Sequence, residues 1–259
     1  MAAAAGAYAG LLERKWVEVR SISVSLPHVP PAFHGAKLIQ FSDLHLGPFF
    51  RAGDLQPVVE LILSLHPDLI CFTGDLVDKG LEELADAVPI LARLVAPMGK
   101  YAVLGNHDYR AHAEGVRRAL ESAGFRVLMN EHVPLQREGQ VMYLAGVDDA
   151  LNGAPNLSAA LGGIPENSCV VLLAHEPDVT IHAAAHSVTL QLSGHSHGGQ
   201  VRLPWWGHLI TPPLARRYVD GLYRVEDSPM QLYVNRGLGT TILPVRFFCR
   251  PELTVMSIT

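Results

Sequence analysis

The alternation of apolar and polar positions divides the first half of the chain into strand and helix segments. Apolar and polar residues alternate from Trp16 to Leu26, which predicts a half-buried strand. Apolar runs at 37–42, 69–73 and 101–104 predict buried strands, and apolar residues recur on one helical face at 54–65, 81–94 and 112–123. Asp54 is the expected N-cap of the first helix. This order favours a sheet with helices outside it.

Beyond Phe125 the pattern changes to short strands separated by shorter helical pieces. The predicted strands are 127–128, 141–145, 170–174, 190–193, 200–203, 222–225, 231–234 and 253–258. The sequence contains no internal repeat, low-complexity tract or linker. We therefore predict a single α/β domain over residues 16–259, with two mixed sheets packed face to face between flanking helices. Residues 1–15 are predicted to be an N-terminal tail or the remnant of an anchor.

Five of the apolar runs end in residues that can bind metals. These ends are Asp43-Leu-His45, Gly74-Asp75, Asn106-His107-Asp108, His175 and His195-Ser-His197. Buried polar groups of this kind are costly unless they are paired, so the repetition needs an explanation. Imidazole nitrogen and carboxylate oxygen suit Zn, Mn and Fe.

The spacing of these residues indicates how two ions could be held. Asp43 and His45 stand at i and i+2 of an extended segment, so both side chains can reach one ion. His195 and His197 have the same spacing, and the Asp75 carboxylate is the natural bridge between two ions. The other histidines are interpreted as structural: His28, His34, His66, His112, His132, His182, His186 and His208.

Composition and charge narrow the class of ligand. With 49% hydrophobic and 17% charged residues the chain is typical of a globular protein. From Leu192 onward there are seven arginines, no lysine and four acidic residues, so that part carries +3 within a total of −5. This excess of arginine in the C-terminal part favours an anionic ligand. The alternative is that these arginines are solvated surface residues. The absence of a lysine-rich tract or net positive charge disfavours nucleic acid.

The cysteines and the N-terminal segment do not identify the cellular compartment of the protein. The three cysteines lack metal or redox spacing, and Cys71 and Cys169 are expected to be buried thiols. The uncharged stretch from Met1 to Leu12 is shorter than the roughly 20 residues that a membrane span needs. It also lacks the basic segment that precedes a signal peptide's apolar run. A frayed tail, an interfacial segment and an anchor remnant all stay open.

The polar strand ends, taken together, resemble the five sequence blocks of calcineurin-like metallophosphoesterases. The blocks are Asp43-Leu-His45, Gly74-Asp-Leu-Val-Asp78, Gly105-Asn-His-Asp108, His175 and Gly194-His-Ser-His197. Two later stretches, 197–204 and 235–239, with Arg250-Pro-Glu, resemble a bacterial membrane-associated phosphodiesterase branch, which includes UDP-2,3-diacylglucosamine diphosphatase-like enzymes. The resemblance covers about Trp16 to the end and implies a four-layer αββα sandwich. It also implies membrane association, peripheral or through a missing N-terminal anchor, with a cytoplasmic location as the alternative.

The same resemblance implies a dinuclear site and a role for each of its residues. Asp43, His45 and His197 would hold one divalent ion (Mn, Fe or Zn), Asn106, His175 and His195 the other, and Asp75 would bridge them. A water shared by two such ions attacks phosphorus in line. His107 would bind the phosphoryl oxygen or protonate the leaving oxygen, with Asp108 orienting it. Asp78 would either support the site from behind or cap a loop.

The function implied is hydrolysis of a phosphodiester or pyrophosphate bond in a lipid-like or nucleotide-lipid substrate. The alternatives are a phosphomonoesterase or protein phosphatase with the same site, and a catalytically silent metal-binding scaffold. Trp205 and Trp206 follow the last block closely and are predicted to form an apolar lip for such a substrate or for a membrane surface, with Arg202, Arg216 and Arg217 nearby for a phosphate. Neighbours in an extended strand face opposite sides, so one of the two tryptophans is expected to be exposed. The alternative is that both pack under an irregular loop.

Overall fold

The computed structural model of the protein describes residues 6–259, which build two stacked six-stranded sheets. In the first sheet the strand order is β1-β14-β2-β3-β4-β5. The bounds are β1 (Glu18–Val24), β2 (Lys37–Phe41), β3 (Leu69–Thr73), β4 (Lys100–Val103), β5 (Arg126–Val127) and β14 (Glu252–Ile258). Strands β2 to β5 run parallel, whereas β14 is antiparallel to β2. The first sheet is therefore mixed, as predicted.

The second sheet is also mixed and has the order β12-β13-β9-β8-β7-β6. Its strands are β6 (Glu131–Arg137), β7 (Gln140–Gly146), β8 (Val170–Leu173), β9 (Leu190–Ser193), β12 (Gly221–Arg224) and β13 (Gln231–Val234). The central strands β7, β8, β9 and β13 are parallel, and the two edge pairs are antiparallel. A separate hairpin is made by β10 (Arg202–Leu203) and β11 (Gly207–His208).

Three apolar cores separate four layers, because the central strands bury both of their faces. The helices are α1 (Ala52–Ser64), α2 (Leu84–Ala92), α3 (Asn106–Ser122), α4 (Leu157–Leu161) and α5 (Thr180–Ala183). Neighbours in β2 point to opposite faces: Ile39 belongs to the core under α1, α2 and α3, and Leu38 to the core between the sheets. The third core lies under α4 and α5, where Leu172 meets Ala160 and Ala183. The predicted αββα sandwich is confirmed.

Three helix starts and one strand differ from the sequence prediction, and the first of these is α2, which begins at Leu84 instead of Leu81. Asp54 is not the N-cap of α1: the helix begins at Ala52, and the Asp54 carboxylate accepts a hydrogen bond from the Arg51 backbone nitrogen. Helix α3 begins at Asn106 instead of His112, and the backbone leaves the helical conformation at His112 itself. Strand β6 was not predicted, because this edge strand carries Pro134 and few apolar residues.

The N-terminal segment packs against a C-terminal loop of the domain. Residues 8–15 form helical turns, and the buried Glu13 carboxylate accepts a hydrogen bond of 2.6 Å from the Cys249 backbone nitrogen. The backbone nitrogen of Arg246 donates a hydrogen bond to the Ala9 carbonyl oxygen at 3.1 Å. Residues 1–5 of the predicted tail lie outside the described residues. Over residues 6–259, none of the helices combines the length and apolar character needed to cross a bilayer.

Candidate active site

The candidate ligands all follow parallel strands whose carboxyl ends meet at one edge of the stacked sheets. In the first sheet Asp43 and His45 follow β2, Asp75 follows β3 and Asn106 follows β4; in the second sheet His175 follows β8, and His195 and His197 follow β9. All seven side chains are buried. The buried Gln40 links the two sheets at this edge: its Nε2 donates to the Ser193 carbonyl oxygen at 2.9 Å and to Thr73 Oγ1 at 3.1 Å. The topology therefore gathers residues far apart in sequence.

One cluster contains Asp43, His45 and His197, whose ligand atoms all lie within 4.8 Å of one another. The Nε2 atoms of His45 and His197 are 2.9 Å apart. Asp43 Oδ1 is 3.4 Å from His197 Nε2 and 3.8 Å from His45 Nε2. The sequence spacing predicted that Asp43 and His45 reach one point, and His197 reaches it from the other sheet.

A second cluster contains Asp75, His175 and His195. His195 Nδ1 lies 3.2 Å from His175 Nε2, which in turn lies 3.3 Å from Asp75 Oδ2. One end of the Asn106 amide is 3.0 Å from His195 Nδ1, and its other end is 3.1 Å from the guanidinium nitrogens of Arg110. Hydrogen bonding in the metal-free protein favours the amide oxygen on Arg110. In the opposite orientation the oxygen faces the imidazoles, as a metal ligand would.

Asp75 joins the two clusters. Its Oδ2 atom lies 3.5 Å from His45 Nε2 and 3.3 Å from His175 Nε2, so one carboxylate oxygen faces a histidine of each cluster. The other oxygen accepts a hydrogen bond of 2.8 Å from the His107 backbone nitrogen. A carboxylate in this position is suited to bridging two cations.

The donor atoms fit a pair of divalent cations. Asp43 and Asp75 are buried, and within residues 6–259 neither forms an ion pair with a lysine or arginine. Buried carboxylates of this kind need positive charge to offset their desolvation. The Nε2 atoms of His45 and His197 are 2.9 Å apart, and His195 Nδ1 is 3.2 Å from His175 Nε2. Each of these nitrogen pairs lies beside one of the two carboxylates. Nitrogen and carboxylate donors without thiolate suit Zn, Mn or Fe.

The backbone at the strand ends is held in an unusual conformation. Five of the seven predicted ligands have positive φ angles: Asp43 (52°), His45 (48°), Asp75 (59°), His195 (67°) and His197 (51°). Such angles are uncommon for residues other than glycine and cost free energy, and they concentrate at functional sites. Gly105 is needed for a different reason: a Cβ there would overlap the Asp75 carboxylate and the His175 ring. Close approach of the two sheets therefore excludes any side chain at this position.

Contacts behind the histidines fix which ring nitrogen faces the centre. His175 Nδ1 lies 2.7 Å from the Thr73 carbonyl oxygen, and His195 Nε2 lies 2.8 Å from the Pro213 carbonyl oxygen. A carbonyl oxygen can only accept a hydrogen bond, so the ring nitrogen that faces it carries the proton. His175 Nε2 and His195 Nδ1 are then the nitrogens that can bind a metal. Among residues 6–259 His45 Nδ1 has no hydrogen-bond partner, and a carboxylate oxygen of Asp78 is 3.8 Å away.

The electrostatics of the site separate the histidines into two pairs. Burial lowers the pKa of His45 and His175, but the carboxylates of Asp43 and Asp75 raise both above the ordinary value. Burial and the neighbouring His175 lower the pKa of His195 to about 4. Burial also lowers the pKa of His197 well below its ordinary value. These shifts favour the neutral imidazole at His195 and His197, the form that binds a metal, and favour the imidazolium at His45 and His175 beside the carboxylates.

His107 lies next to the clusters and contacts Asp78. Its ring is partly exposed and stands edge-on to the His45 ring, with the ring centroids 4.5 Å apart. His107 Nδ1 is 2.8 Å from the Asp78 carbonyl oxygen and 3.4 Å from the Asp78 carboxylate. Asp78, for which two roles stayed open, therefore supports His107, and its carboxylate lies 3.8 Å from His45 Nδ1. The three residues also form a third group with the spacing of a metal site.

Asp108 does not orient His107, contrary to the sequence expectation. It lies one residue further along the first turn of α3, and its carboxylate points back toward the loop after β3. There it accepts hydrogen bonds of 2.8–3.1 Å from the backbone nitrogens of Asp75, Leu76, Val77 and Gly105. Asp108 is therefore a positioning residue for the loop that carries Asp75.

Arg246 is a residue that sequence reasoning missed. Its side chain is fully buried, and its Nη2 donates to the carbonyl oxygens of Arg236 (2.8 Å), Gly237 (3.0 Å) and Gly239. The same nitrogen is 3.5 Å from His197 Nδ1. Arg246 thus ties the loop at 236–239 to the first cluster. Its sequence context, Val-Arg-Phe, carries no signal that separates it from a surface arginine.

The residues predicted for substrate contact lie on the β10–β11 hairpin. Trp205 and Trp206 occupy its turn and are 101% and 85% exposed. One exposed tryptophan was expected from strand alternation; both are exposed, because turn residues do not alternate between two faces. Arg202 forms an ion pair of 2.8 Å with Asp220, so its charge is already compensated.

Comparison with known proteins agrees with this geometry. The sequence model of the family described as calcineurin-like phosphoesterase matches residues 36–199, which contain every predicted ligand. An uncharacterised metallophosphoesterase of Bacillus subtilis, YkuE, is 38% identical over 255 residues, covering 97% of this chain and 88% of its own. A transmembrane protein with metallophosphoesterase domain from Danio rerio is 32% identical, covering 92% of this chain and 56% of its own. LpxG of Chlamydia muridarum, a UDP-2,3-diacylglucosamine pyrophosphatase, is 28% identical, covering 96% and 91%.

Among solved structures, the Haemophilus influenzae NAD nucleotidase NadN has a TM-score of 0.52 at 15% identity, covering 78% of this chain and 50% of its own. That likeness concerns the fold alone. The family match over more than half of the chain, together with the relatives above 30% identity, gives one conclusion: the chain belongs to the calcineurin-like phosphoesterase family.

Proposed function

We propose that this protein is a divalent-metal-dependent hydrolase of phosphodiester or pyrophosphate bonds that acts on a lipid-like substrate at a membrane surface. The observation that carries the hydrolase part is the pair of buried Asp/His clusters facing one carboxylate, Asp75. Asp43, His45 and His197 would hold one cation, Asn106, His175 and His195 the second, and Asp75 both. When bound, such ions neutralise phosphoryl oxygens and lower the pKa of water for in-line attack on phosphorus.

His107 is proposed as the general acid. Its Nδ1 faces the Asp78 carbonyl oxygen at 2.8 Å, and a carbonyl oxygen can only accept, so Nδ1 carries a proton. Nε2 is then the atom that holds or gives a proton at the leaving oxygen. The edge-on contact with His45 keeps the ring next to the first cluster without making it part of that cluster. An alkoxide is a poor leaving group, so this role matters most for diesters of ordinary alcohols.

An exposed apolar surface next to the site supports the lipid-like substrate. We call it the apolar rim; it consists of Leu11, Leu12, Leu203, Trp205, Trp206, Leu209, Ile210, Ile242, Leu243 and Phe248, all of which are exposed. Tryptophan is favoured where an apolar phase meets water or headgroups, and clustered exposed apolar residues mark interaction surfaces.

The apolar rim comes from three segments that backbone hydrogen bonds hold together. The Arg202 nitrogen donates to the Phe247 carbonyl oxygen at 2.8 Å, and the Phe247 nitrogen donates to the Gln200 carbonyl oxygen at 3.1 Å. The contact between Arg246 and Ala9 attaches the N-terminal segment to the same loop. The segment at 200–210 begins three residues after His197, so the chain connects the apolar rim directly to a ligand of the first cluster. This arrangement supports a substrate presented by a membrane.

The names of two relatives also support a lipid-like substrate and action at a membrane. LpxG is named as a pyrophosphatase of a diacylated nucleotide sugar, and the Danio rerio relative is named as a transmembrane protein. The activity in the name of LpxG cleaves a bond between two phosphoryl groups, and the apolar rim favours a substrate with apolar chains. We therefore propose a phosphodiester or pyrophosphate bond in preference to a monoester, and a membrane surface as the place of action.

A substrate panel tests this proposal. Protein reconstituted separately with Mn, Fe and Zn would be assayed against a nitrophenyl diester, a nitrophenyl monoester, nucleotide diphosphate sugars with and without acyl chains, and phospholipid vesicles. We expect hydrolysis of the diester and of the acylated pyrophosphate, and a large loss in the Asp75→Asn variant. Preference for the monoester would replace the proposal with a phosphomonoesterase. No hydrolysis by any metal form would leave a metal-binding scaffold.

A further inference from the structure

A cavity separate from the metal clusters lies between the N-terminal segment and helix α1. Its volume is about 400 Å³, within the range of small-molecule sites. Aliphatic and aromatic side chains form most of its wall, among them Val17, Phe50, Val58, Leu61 and Leu238. A nucleobase or sugar would need several hydrogen-bonding groups, whereas this wall suits a hydrocarbon chain.

Two cationic side chains, Arg14 and Lys15, belong to the lining of this cavity. Within residues 6–259 neither forms an ion pair, and the Arg14 Nε atom is buried without a hydrogen-bond partner. Arg14 Nη1 donates a hydrogen bond to the Phe49 carbonyl oxygen at 3.3 Å. The lining also contains the Asp54 carboxylate, which accepts a hydrogen bond from the Arg51 backbone nitrogen, so its charged side chains carry a net charge of +1. Apolar walls with a net positive charge match an anionic amphiphile.

A second cavity shares the Phe49 side chain with the apolar cavity and reaches Asp78 beside the metal clusters. It has a volume of about 310 Å³, and its lining includes Phe49, Asp78, Lys79 and Ile242. Phe49 lines both cavities, and Asp78 contacts His107. Ile242 belongs to the apolar rim. A ligand with its phosphoryl group beside His107 would therefore pass Phe49 to reach the apolar cavity.

The wall of the apolar cavity is also joined directly to the loop that carries the ligands of the first cluster. The backbone nitrogens of Leu238 and Gly239, both in the lining, donate to the carbonyl oxygens of Ser42 (3.0 Å) and Asp43 (2.7 Å). Gly239 packs so closely on Leu44 that a Cβ there would overlap the Leu44 carbonyl group. The cavity therefore lies directly behind the Asp43 loop.

We propose that the apolar cavity takes one acyl chain of an anionic lipid, with its headgroup over Phe49 and its scissile phosphorus at the two clusters. This inference rests on the proposed function and deepens it by naming the part of the substrate that each cavity binds. Leu11 and Leu12, next to Arg14 and Lys15 in the chain, contribute to the apolar rim, so a chain leaving a bilayer would enter beside them.

Binding without catalysis tests the cavity by itself. Lysophosphatidic acids with hexanoyl, decanoyl and tetradecanoyl chains would be titrated by calorimetry into protein kept metal-free with a chelator. We expect the affinity to rise by up to about fourfold for each added CH₂ until the cavity is filled. The Leu61→Trp variant fills the cavity and should lose this dependence on chain length. Leu63→Trp is the matched control, because Leu63 is also a half-buried leucine of α1 but does not line the cavity.

The headgroup is tested with a charge reversal. Lys15→Glu should weaken binding of the anionic lipid by about tenfold or more and leave a neutral monoacylglycerol with the same chain nearly unaffected. Affinity that does not depend on chain length, or Leu61→Trp behaving like Leu63→Trp, would overturn the acyl-chain proposal.

Activity assays separate a failure of this proposal from a failure of the proposed function. The measured quantity is the ratio of the rate on an acylated substrate to the rate on a soluble nitrophenyl diester. We expect Leu61→Trp to lower this ratio by about tenfold relative to Leu63→Trp. Chain-dependent binding without hydrolysis of any substrate would support the cavity and overturn the hydrolase. Hydrolysis of both substrates with an unchanged ratio would overturn the cavity and leave the hydrolase standing.

Discussion

His107 Nδ1 lies 2.8 Å from the carbonyl oxygen of Asp78, which joins the first turn of α3 to the loop after β3. Because the acceptor is a backbone oxygen, the contact does not depend on the charge of the Asp78 side chain. The carboxylate of Asp78 is further away, at 3.4 Å from the same nitrogen. The ring of His107 is thereby fixed beside the metal clusters with one nitrogen free.

Replacing His107 with alanine should keep both metals bound and lower the rate by about 10²–10⁴-fold, because general acid catalysis is lost. The loss should be larger for an alkyl diester than for a nitrophenyl ester, whose leaving anion needs little protonation. The measurement is the ratio of the two losses. Equal losses would assign His107 to stabilising the phosphoryl oxygens, and no loss would remove it from the mechanism.

Two control variants accompany this prediction. Asp78→Asn retains the backbone acceptor, so its rate should fall less than that of His107→Ala. His132→Ala removes a histidine outside the clusters, whose Nδ1 lies 2.8 Å from the Ala160 carbonyl oxygen and whose ring packs edge-on against Tyr143, and this variant should keep its activity. A loss in Asp78→Asn as large as in His107→Ala would mean that the carboxylate, and not the backbone, positions the ring.

Two divalent cations per chain are expected when the protein is purified without chelator. Asp75→Asn should weaken the binding of both, because one carboxylate faces both clusters, whereas His175→Ala should affect mainly one. Elemental analysis of each variant, followed by anomalous diffraction, tests this directly. A single ion, or a pair held by other residues, would contradict the predicted site.

Metal binding near pH 7 should release protons and weaken as the pH falls. The carboxylates of Asp43 and Asp75 raise the pKa of His45 and of His175, so protons compete with a metal for both rings over a wider range of pH. The stabilising effect of these protonated histidines on the metal-free fold is present below their unfolded pKa and is lost as the pH rises through their folded pKa. Calorimetry in buffers of different ionisation enthalpy measures the protons released. Binding without proton release would show that these histidines are neutral or are not ligands.

The Trp205→Ser and Trp206→Ser variants should lose activity on an acylated or vesicle-borne substrate more than on a small soluble diester. Both side chains are exposed, so the substitutions remove apolar contact area with a membrane and leave the core intact. Rates on both substrates and thermal unfolding are measured together. A joint fall of both activities and of thermal stability would assign the tryptophans to structure and remove the main support for a lipid-like substrate.

Arg246→Met should destabilise the protein by about 3 kcal/mol or more, since several buried carbonyl oxygens would lose their donor. For a domain of this size that corresponds to a fall in Tm of roughly 6–12 °C. Arg118→Met is the matched control, because Arg118 is exposed and only pairs with Glu114 on the same helix. A Tm unchanged in both variants would contradict the positioning role of Arg246.

The sequence by itself determined where the strands end and which residues stand at those ends. Leu69 to Thr73 and Leu190 to Ser193 were predicted with their observed bounds, because strands buried on both faces are continuous apolar runs. The polar residues after such runs are visible for the same reason: a buried strand tolerates them only where it stops. The metal-binding chemistry therefore follows from local patterns, and the family resemblance follows from the order of those patterns.

Only the tertiary structure decided which of these residues meet. His107 contacts Asp78 instead of Asp108, and Arg246 is buried beside His197. These contacts join segments separated by about thirty to fifty residues. The periodicity of apolar residues predicts local elements and does not predict contacts between residues so far apart in the sequence. The start of α3 and the exposure of both tryptophans also depend on packing, since hydrogen bonds to a neighbouring loop and a place in a turn override local propensity. The local pattern of apolar and polar residues predicted metal-binding side chains at the ends of the strands. The packing of the two sheets decided which of these side chains contact each other.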